Sequence, residues 1–538
     1  MIKIGFIIAL SALVCSAWAV PARRGEIVKT QPDGTQIVVY QHGDELFHWM
    51  TNEKGEWLKM DVDGFYRVTE ALSAEQIEAK RMAAPSRAAQ AATPLNIAPR
   101  GLVILVNFTD MAFETDKAEM DSMLTGKNYT RDYSYFYRGK KQSITSKGSA
   151  WQYFYDSSNG HYDPQFDVIG PVTVSKNMAY YGKNVNDFDA APWTMVKEAC
   201  QLVDDSVDFK QYDNNNDGYV DFVYVIYAGY GEADGGDKNT IWPHSYWLLE
   251  AGITCKLDGK YVDLYACGNE MDSRTNYHTG IGTFCHEFSH VLGLPDLYET
   301  TGYGTYKTIG AWSILDYGPY NNDGNTPPAY SAYEQFFMGW LMPRLIVDAE
   351  NVELEELQAS NSALLISSSD QHNLIGNDPK PTTFYLLENR QQVGWDEYLP
   401  GHGLMLTKVQ YDYNKWTNNT VNNSSNRMGV DLIEADGKKP SSSSNGYTGK
   451  AGDLFPAGAT EYLGITNHSI EDVSEQDGII YFKYRGGIAT STEQVQTEET
   501  IVAIYNILGQ KQAAVDLESL PRGTYVVVTT AGSKKIVR

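Results

Sequence analysis

The pattern of apolar and polar positions changes along the chain and divides it into segments. Residues 20–75 contain short β-like runs separated by turns rich in Pro, Asp and Gly, which predicts a small module of hairpins. A charged segment and then a linker rich in Ala, Ser and Pro follow, up to about residue 97. The apolar run at residues 102–106 then predicts a buried strand that opens a second domain.

The rest of the chain also changes character, and the pattern as a whole indicates the α+β class. Residues 98–345 mix strand-like and helix-like segments, whereas residues 346–486 are β-rich with polar loops. Beyond a polar linker, the strands and turns within residues 487–538 are too short to hold much core by themselves. We therefore expect the β-rich region to be continuous with the mixed domain and the last segment to be a separate small unit.

The first residues are typical of an export signal. A basic residue precedes the apolar run at residues 4–14, and Ala17 and Ala19 are small residues at the positions that a signal peptidase reads. We therefore expect residues 1–19 to be removed on export. The run is too short for a membrane span of about 20 residues, and no later stretch is long and apolar enough. Cys15 leaves a lipid-anchored alternative open.

The composition of the chain indicates which partners and metal ions it can bind and which states its cysteines can adopt. The chain has 68 acidic and 43 basic residues, a formal net charge of −25 at pH 7. Such a surface repels phosphate backbones, so we expect no nucleic acid partner, while carboxylate oxygens suit hard cations such as calcium. Beyond the signal segment the cysteines could form two disulfides in three pairings or stay as free buried thiols: Cys200, Cys255, Cys267 and Cys285.

One short segment carries the chemistry. On a helix, residues four apart share a face, so His286 and His290 present two imidazoles to one metal ion, with Glu287 beside them. Gly293 allows a sharp turn that returns Asp296 as a third, oxygen ligand. Two imidazoles and one carboxylate predict a catalytic zinc site with a position open for water. The alternative is an amphipathic core helix with satisfied histidines.

The same segment predicts the reaction. Zinc lowers the pKa of bound water toward about 7 and polarises a carbonyl oxygen. A carboxylate next to the metal takes the proton of the water and delivers it to the leaving amine, and Glu287 is the candidate for this general base. The predicted chemistry is hydrolysis of an amide bond.

With these residues in view, the sequence resembles the immune-inhibitor-A family of secreted bacterial zinc metallopeptidases, over about residues 98–480. The resemblance implies that residues 98–345 are a metzincin-like zinc peptidase domain. It rests on the zinc motif and on four supporting motifs: Ile241-Trp242-Pro243-His244-Ser245, Leu387-Glu388-Asn389-Arg390-Gln391, Gly394-Trp395-Asp396 and Leu399-Pro400-Gly401-His402-Gly403.

Metzincin-like enzymes carry a methionine turn beneath the metal, and this chain departs from that pattern. The corresponding turn is at residues 312–318, with Leu315 where methionine is expected. Leucine fills a similar apolar volume, so the floor of the site can survive. The resemblance implies that Tyr317 steadies the developing oxyanion; its alternative is an ordinary packed tyrosine.

An acidic loop suggests a second metal. Alternating oxygen ligands with glycine at the sixth position match the first part of a calcium loop, but Tyr224 stands where an EF-hand has glutamate. We therefore expect a shorter calcium loop that borrows a ligand from elsewhere, with a plain polar turn as the alternative. The candidate ligands are Asp213, Asn215, Asp217, Tyr219 through its carbonyl, and Asp221.

The C-terminal segment resembles the sorting domain of the type IX secretion system, over about residues 495–538. The resemblance rests on Ile504-Tyr505-Asn506-Ile507-Leu508-Gly509-Gln510, on Leu520-Pro521-Arg522-Gly523-Thr524-Tyr525-Val526-Val527 and on the closing Lys534-Lys535-Ile536-Val537-Arg538. It implies export through the periplasm to the cell surface or the medium, with the type IX machinery as a partner. A small β accessory domain that binds sugar or a partner is the alternative.

The position of the hairpin module predicts a propeptide. Residues 20–97 lie between the signal segment and the catalytic domain and end in a linker that proteases can cut. The module contains no cysteine, so a group such as Asp44, His42 or His48 would have to cap the zinc, or the module would obstruct the groove. The alternative is an accessory domain or folding aid that stays attached.

These features predict a secreted or surface-exposed zinc-dependent endopeptidase that acts on protein or peptide substrates, with zinc and possible calcium as cofactors. Two other functions stay open. One is an adhesin or glycan-binding protein with a relic zinc site, which the aromatic content of 12% and the β-rich second half motivate. The other is a zinc hydrolase of non-protein amide bonds, which the metal site alone does not distinguish.

Overall fold

This computed structural model describes residues 20–44, 47–73, 75–77, 100–185, 188–301, 308–439, 448–487, 501–506, 511–512, 524–529 and 532–537. The chain divides into two compact units, Met1–Gly487 and Ile488–Arg538. The predicted signal peptide and most of the predicted linker lie outside the described residues. Within the described ranges, no helix has the length and apolar character needed to cross a membrane.

The N-terminal module is an antiparallel sheet of five strands in chain order, as the alternating pattern predicts. Each strand pairs with the next one in the chain, and Val39 and Phe47 form part of the buried face of the sheet. The strands are β1 (Ile27–Thr30), β2 (Gln36–Asp44), β3 (Phe47–Thr51), β4 (Trp57–Met60) and β5 (Tyr66–Val68).

The region that follows the N-terminal module is built on a five-stranded sheet in the order β14-β17-β13-β6-β9. Four of these strands are parallel, three of them (β6, β13 and β17) are buried along most of their length, and β14 pairs antiparallel at one edge. The strands of this region are β6 (Arg100–Asn107), β7 (Thr130–Tyr137), β8 (Lys140–Lys147), β9 (Gln165–Thr173), β10 (Asn184–Val185), β11 (Phe188–Asp189), β12 (Tyr219–Val220), β13 (Val223–Tyr230), β14 (His244–Trp247), β15 (Cys255–Leu257), β16 (Lys260–Val262) and β17 (Leu264–Met271).

Helices cover both faces of this sheet, because its strands are apolar on both sides. Met120, Phe154 and Phe288 lie in the core on one face, and Met195 and Ala199 lie in the core on the other. The helices are α1 (Lys117–Thr125), α2 (Ala150–Ser157), α3 (Met178–Gly182), α4 (Pro192–Val203), α5 (Gly282–Val291) and α6 (Ala332–Met338).

The following region is β-rich and shares a buried core with the preceding region. Leu386 and Met405 belong to the same buried cluster as the apolar face of α5, while Leu387 and Leu406 belong to a second core. The elements are β18 (Arg344–Leu345), β19 (Glu350–Leu354), α7 (Leu357–Ser360), β20 (Leu364–Ser367), β21 (Thr383–Arg390), β22 (Gly403–Gln410), α8 (Tyr413–Thr417), β23 (Val430–Leu432), β24 (Ile470–Gln476) and β25 (Ile479–Tyr484).

The C-terminal unit is a three-stranded antiparallel sheet of β26 (Ile501–Asn506), β27 (Thr524–Thr529) and β28 (Gly532–Val537). Ile504 and Val527 are buried within it. Part of the segment that resembles a sorting domain, including residues 513–523, lies outside the described residues. The fold as a whole is mixed α/β with β-rich flanking regions.

The cysteines are free thiols in this structure, which agrees with one of the two options that the sequence leaves open. All four, Cys200, Cys255, Cys267 and Cys285, are buried. Cys200 and Cys255 lie next to each other, and their contact with burial raises the pKa of the Cys200 thiol. These side chains therefore act as small apolar groups of the core.

Candidate metal centre

Helix α5 places the two histidines of the motif on one buried face. The helix spans Gly282–Val291, and every residue in it except Thr283 is buried. It ends where Gly293 adopts a φ of 99°, a left-handed conformation that side chains resist. The chain then reverses, with Gly293 N donating to the His290 carbonyl and Leu294 N to that of Ser289, and brings Asp296 back to the helix.

The three predicted zinc ligands converge. His286 Nε2 lies 3.1 Å from His290 Nε2, and Asp296 Oδ1 lies 3.3 Å and 3.2 Å from these two atoms. All three residues are buried. Among the described residues this is the one group of three or more His, Cys, Asp or Glu side chains whose potential ligand atoms come this close together.

The hydrogen bonds around the histidines fix which ring nitrogen faces the centre. His286 Nδ1 donates to the Ile314 carbonyl at 2.7 Å, and His290 Nδ1 donates to the Leu294 carbonyl at 2.8 Å. Both Nε2 lone pairs therefore point at each other and at Asp296 Oδ1, which is buried without a hydrogen-bond donor. Such lone pairs repel unless a cation lies between them, and two imidazole nitrogens with one carboxylate oxygen form a zinc donor set.

Asp296 is held from the β-rich region by a residue that the sequence reasoning missed. Asn419 Nδ2 donates to Asp296 Oδ2 at 2.6 Å, and Asp296 N donates to Asn419 Oδ1 at 2.7 Å. This two-way pairing leaves only Oδ1 free to face the histidines. Asn419 lies in a polar, asparagine-rich loop, and its 123-residue separation from Asp296 leaves no local signal.

The pKa values of the two carboxylates at the site, Asp296 and Glu287, are shifted in opposite directions. Burial opposes the ionisation of Asp296, but the imidazoles of His290 and His286 outweigh it and lower the pKa of Asp296 to about 2. Burial, reinforced by the charge of Asp296, raises the pKa of Glu287 well above its ordinary value. One carboxylate is thus poised as a ligand and its neighbour as a group that takes up and releases a proton.

Glu287 contacts the N-terminal module rather than the ligand atoms. Its Oε1 accepts a hydrogen bond from the main-chain nitrogen of Val20 at 2.9 Å, and its Oε2 is buried without a partner. Val20 and Ala22 are themselves buried, so the first described residues cover the centre.

The turn beneath the candidate metal centre has Leu315 at the position where metzincin-like enzymes have methionine. Leu315 is fully buried, and its carbonyl accepts from Leu297 N at 2.7 Å, next to Asp296 in the chain. The apolar floor is therefore intact without methionine. Tyr317 belongs to the same turn, and the guanidinium of Arg24 lies over its ring at 3.6 Å. The contact shows that a residue of the N-terminal segment lies on the side chain expected to bind the oxyanion.

A buried ion pair connects this turn to the β-rich region and explains two of the supporting motifs. Arg390 Nη2 donates to Asp396 Oδ1 at 2.6 Å and Arg390 Nη1 donates to the Trp312 carbonyl at 3.4 Å. Both charged side chains are fully buried. Asp396 Oδ1 also accepts from Ala329 N, so the pair fixes the loop that carries Leu315 and Tyr317.

The acidic loop is differently arranged. Its oxygens already accept hydrogen bonds from the loop itself: Asp213 from the nitrogens of Asp217 and Gly218, Asn215 from Asp217 N, and Asp221 from Asn214. The Lys260 ammonium pairs with Asp213. Tyr219 N donates to Asp217 Oδ1. Calcium binding by these residues stays a prediction.

Comparisons with known proteins agree with this geometry. Residues 96–342 match the family described as immune inhibitor A peptidase M6, catalytic domain. The chain is 27% identical over 293 residues to the pre-pro-metalloprotease PrtV of Vibrio cholerae serotype O1, which is 48% of this chain and 31% of that protein. It is 27% identical over 268 residues to immune inhibitor A of Bacillus thuringiensis subsp. alesti, 44% of this chain and 39% of that protein.

The matched region contains the whole metal centre except Asn419. It is similar to the M6 family of zinc metallopeptidases, which supports the predicted enzyme class and implies zinc as the metal. The relationship to both named proteins is distant. The chain spans less than two fifths of the length of either relative.

Proposed function

We propose that this protein is an exported zinc endopeptidase with a metzincin-like site, made as a precursor whose N-terminal module covers that site. The observation that carries the proposal is the convergence of His286 Nε2, His290 Nε2 and Asp296 Oδ1 within about one ligand-to-ligand distance, next to a carboxylate that binds none of them. Zinc held by these three atoms would polarise the carbonyl of the scissile bond and acidify a water molecule.

The residues of the chain supply the proton transfers. Glu287 accepts the proton of the water at one carboxylate oxygen and delivers it to the amine that leaves. Burial and the charge of Asp296 raise the pKa of Glu287, so its carboxyl holds a proton more readily than an exposed glutamate does. Tyr317 would donate its phenolic hydrogen to the developing oxyanion once Arg24 no longer covers its ring.

The contacts of residues 20–24 support the precursor part of the proposal. The Trp242 indole donates to the Val20 carbonyl at 3.1 Å, and the Tyr320 hydroxyl donates to the Pro21 carbonyl at 2.7 Å. With Val20 on Glu287, the segment occupies the space that a substrate main chain needs. A cap by Asp44, His42 or His48 is not what the contacts favour, because His48 pairs with Glu232 and His42 with Thr51.

The rest of the hairpin module is also bound to the catalytic region. Lys29 Nζ donates to the Gly235 carbonyl at 2.6 Å, and Gln41 donates to the Glu232 carbonyl at 2.9 Å. His48 lies 3.1 Å from Glu232 Oε1 and stacks on Trp242. These contacts hold residues 20–24 in place until the linker is cut.

Peptidase activity is tested on protein cut in the linker and freed of the module. We expect cleavage of peptides in a diverse mixture, loss of cleavage with a chelator, and a fall of about 10²–10⁴-fold in rate for Glu287→Ala, the cost of losing one general base. Hydrolysis of non-protein amides alone would favour a zinc hydrolase of such bonds. Sugar binding that a chelator does not change would favour an adhesin or glycan-binding protein. Wild-type turnover in Glu287→Ala would reject the role of this residue.

Latency is tested by comparing the uncut and cut forms of one preparation. Because the uncut form buries Glu287 under Val20, we expect it to be much less active. Equal activity before and after the cut would leave the module with a folding role only.

The C-terminal unit is proposed to direct export by the type IX machinery, which would place the enzyme on the cell surface or in the medium. The support is its sequence pattern and its compact three-stranded sheet. Deletion of residues 495–538 should leave a folded catalytic region in the periplasm of the native host. Normal release of the truncated protein would refute this role.

A further inference from the structure

A pocket of carboxylates next to the metal centre holds the guanidinium of Arg23. Arg23 Nη1 pairs with Asp272 Oδ2, and Arg23 Nη2 lies 2.7 Å from Asp323 Oδ1. Arg23 is 7% exposed and Asp272 is 3% exposed, so this ion pair is inside the protein. The main chain of Arg23 is also held in place, because Arg23 N donates to the Ala233 carbonyl at 2.9 Å.

The pocket contains a third carboxyl group besides the two that pair with Arg23. Asp234 lines the same pocket, is 8% exposed, and keeps Oδ1 buried without a hydrogen-bond donor. Burial and the charge of Asp272 raise the pKa of Asp234 to about 8. Arg274 is the other cation beside the pocket and pairs with Asp323. Without Arg23, the carboxylates of Asp272 and Asp323 would therefore face the guanidinium of Arg274, with the carboxyl group of Asp234 beside them.

The pocket lies beside the reacting atoms. Thr283, on the first turn of α5 and one helical turn before Glu287, lines it together with Val20. The Val20 nitrogen donates to Glu287, the group that delivers a proton to the leaving amine. Val20 therefore stands where the first residue of the amine product would stand, and Arg23 where the fourth would.

We propose that Asp234, Asp272 and Asp323 form a substrate subsite that receives an arginine or lysine side chain at the fourth residue after the scissile bond. In the precursor, Arg23 of the chain itself fills this subsite. The inference rests on the proposed function, since it assigns a specificity to the same site. A guanidinium fits best because it spans two carboxylates at once, as Arg23 does here.

The test uses the peptide with the sequence of residues 20–24 and copies with lysine, citrulline or glutamate at the fourth position. Citrulline keeps the shape of arginine and removes its charge. Binding of these peptides to the cut and separated Glu287→Gln protein is measured by calorimetry. In a second assay, the wild-type protein is given longer peptides in which arginine, lysine, citrulline or glutamate is placed in turn at each position around the scissile bond, and cleavage is measured.

We expect the arginine peptide to bind at least about 30-fold more tightly than the citrulline peptide, since an unpaired partner of a buried charge pair is costly. Asp272→Asn keeps the acceptor that Arg274 N and Thr275 N use and should lower this ratio by about tenfold, as should Asp323→Asn. Asp205→Asn, an exposed aspartate with the same charge change, should leave the ratio unchanged.

Equal binding of the arginine and citrulline peptides, or a preference for a basic residue at another position only, would overturn the subsite. The binding arm needs no hydrolysis. A protein that selected the arginine peptide and cleaved nothing would refute the proposed function and leave the subsite standing, whereas cleavage without charge preference would do the reverse.

Discussion

The two predicted metal sites of this chain are both indicated by ligands close together in the sequence, but their ligand atoms are arranged differently in the folded protein. At the zinc centre, His286, His290 and Asp296 turn three lone-pair atoms toward one point, and Asp296 Oδ1 has no donor. In the acidic loop, Asp213 already accepts from two main-chain nitrogens and pairs with Lys260. Three lone-pair atoms that converge in a buried site are stabilised by a cation, whereas a loop whose oxygens accept its own hydrogen bonds can fold without one.

The difference has a structural origin. The zinc donors are held from behind, by carbonyls at both Nδ1 atoms and by Asn419 at Asp296 Oδ2, so their free atoms face inward. The loop oxygens curl back onto the nitrogens of their own turn. Supporting contacts from distant residues therefore distinguish the two sites better than the spacing of the ligands does.

Removal of the metal is expected to have the largest effect and to distinguish the zinc centre from the acidic loop. A zinc chelator should abolish hydrolysis by the cut protein, and stoichiometric zinc should restore it, because the three ligand atoms converge on one point. Activity is measured on a peptide substrate with calcium present throughout. Activity that persists in the zinc-depleted protein while calcium is present would contradict the assignment of the two sites.

The next effect concerns the support behind Asp296. Asn419→Ala removes both hydrogen bonds to Asp296, and loss of such a second contact layer typically lowers metal affinity by about 10–100-fold. Competition with a zinc-binding dye measures the affinity. Asn414→Ala, which truncates an exposed amide of the same segment, is the control and should bind zinc normally. Equal affinity in both variants would show that Asp296 needs no support.

A smaller effect is expected at the ion pair between His48 of the N-terminal module and Glu232 of the following region. Like the oxygens of the acidic loop, these two side chains already have partners. Burial alone would lower the pKa of His48, yet the Glu232 carboxylate outweighs it and raises the pKa above the ordinary 6.5. The stabilisation is therefore complete below pH 6.5 and is lost as the pH rises through the raised pKa. The free energy of unfolding of a Glu287→Ala precursor should fall over this range, and His48→Gln should flatten the fall. Parallel curves would contradict the role of His48.

The smallest effect is expected at the acidic loop. If calcium binds there, adding it should raise the melting temperature by about 2 °C, and Asp217→Ala should remove most of the rise. Lys260→Met removes the competing ammonium and should enlarge the rise. An identical calcium response in all three proteins would place the ion elsewhere.

The sequence predicts the parts of the site that local geometry determines. The spacing of His286 and His290 and the turn at Gly293 are enough to bring Asp296 to the helix, because only a few residues separate the three ligands. The hairpin module and the β-rich region are likewise predicted, since alternation and turn residues act locally.

The remaining parts depend on contacts between residues far apart in the chain. Asn419 lies in a loop whose composition indicates only a polar surface, and nothing near Val20 or Arg23 indicates Glu287 or Asp272 as partners. The strand order of the main sheet is also beyond the local pattern. The interpretation of His48 as a zinc cap is not supported because Glu232 provides a nearer charge for it.

The most direct test of the account is the zinc content of two purified variants, Asp296→Ala and Glu287→Ala. Elemental analysis after dialysis should find about one zinc per chain in the wild type and in Glu287→Ala, which removes no ligand, and little in Asp296→Ala. Both variants should be inactive on peptides. A full zinc content in Asp296→Ala, or its loss in Glu287→Ala, would contradict the division of roles between these two carboxylates.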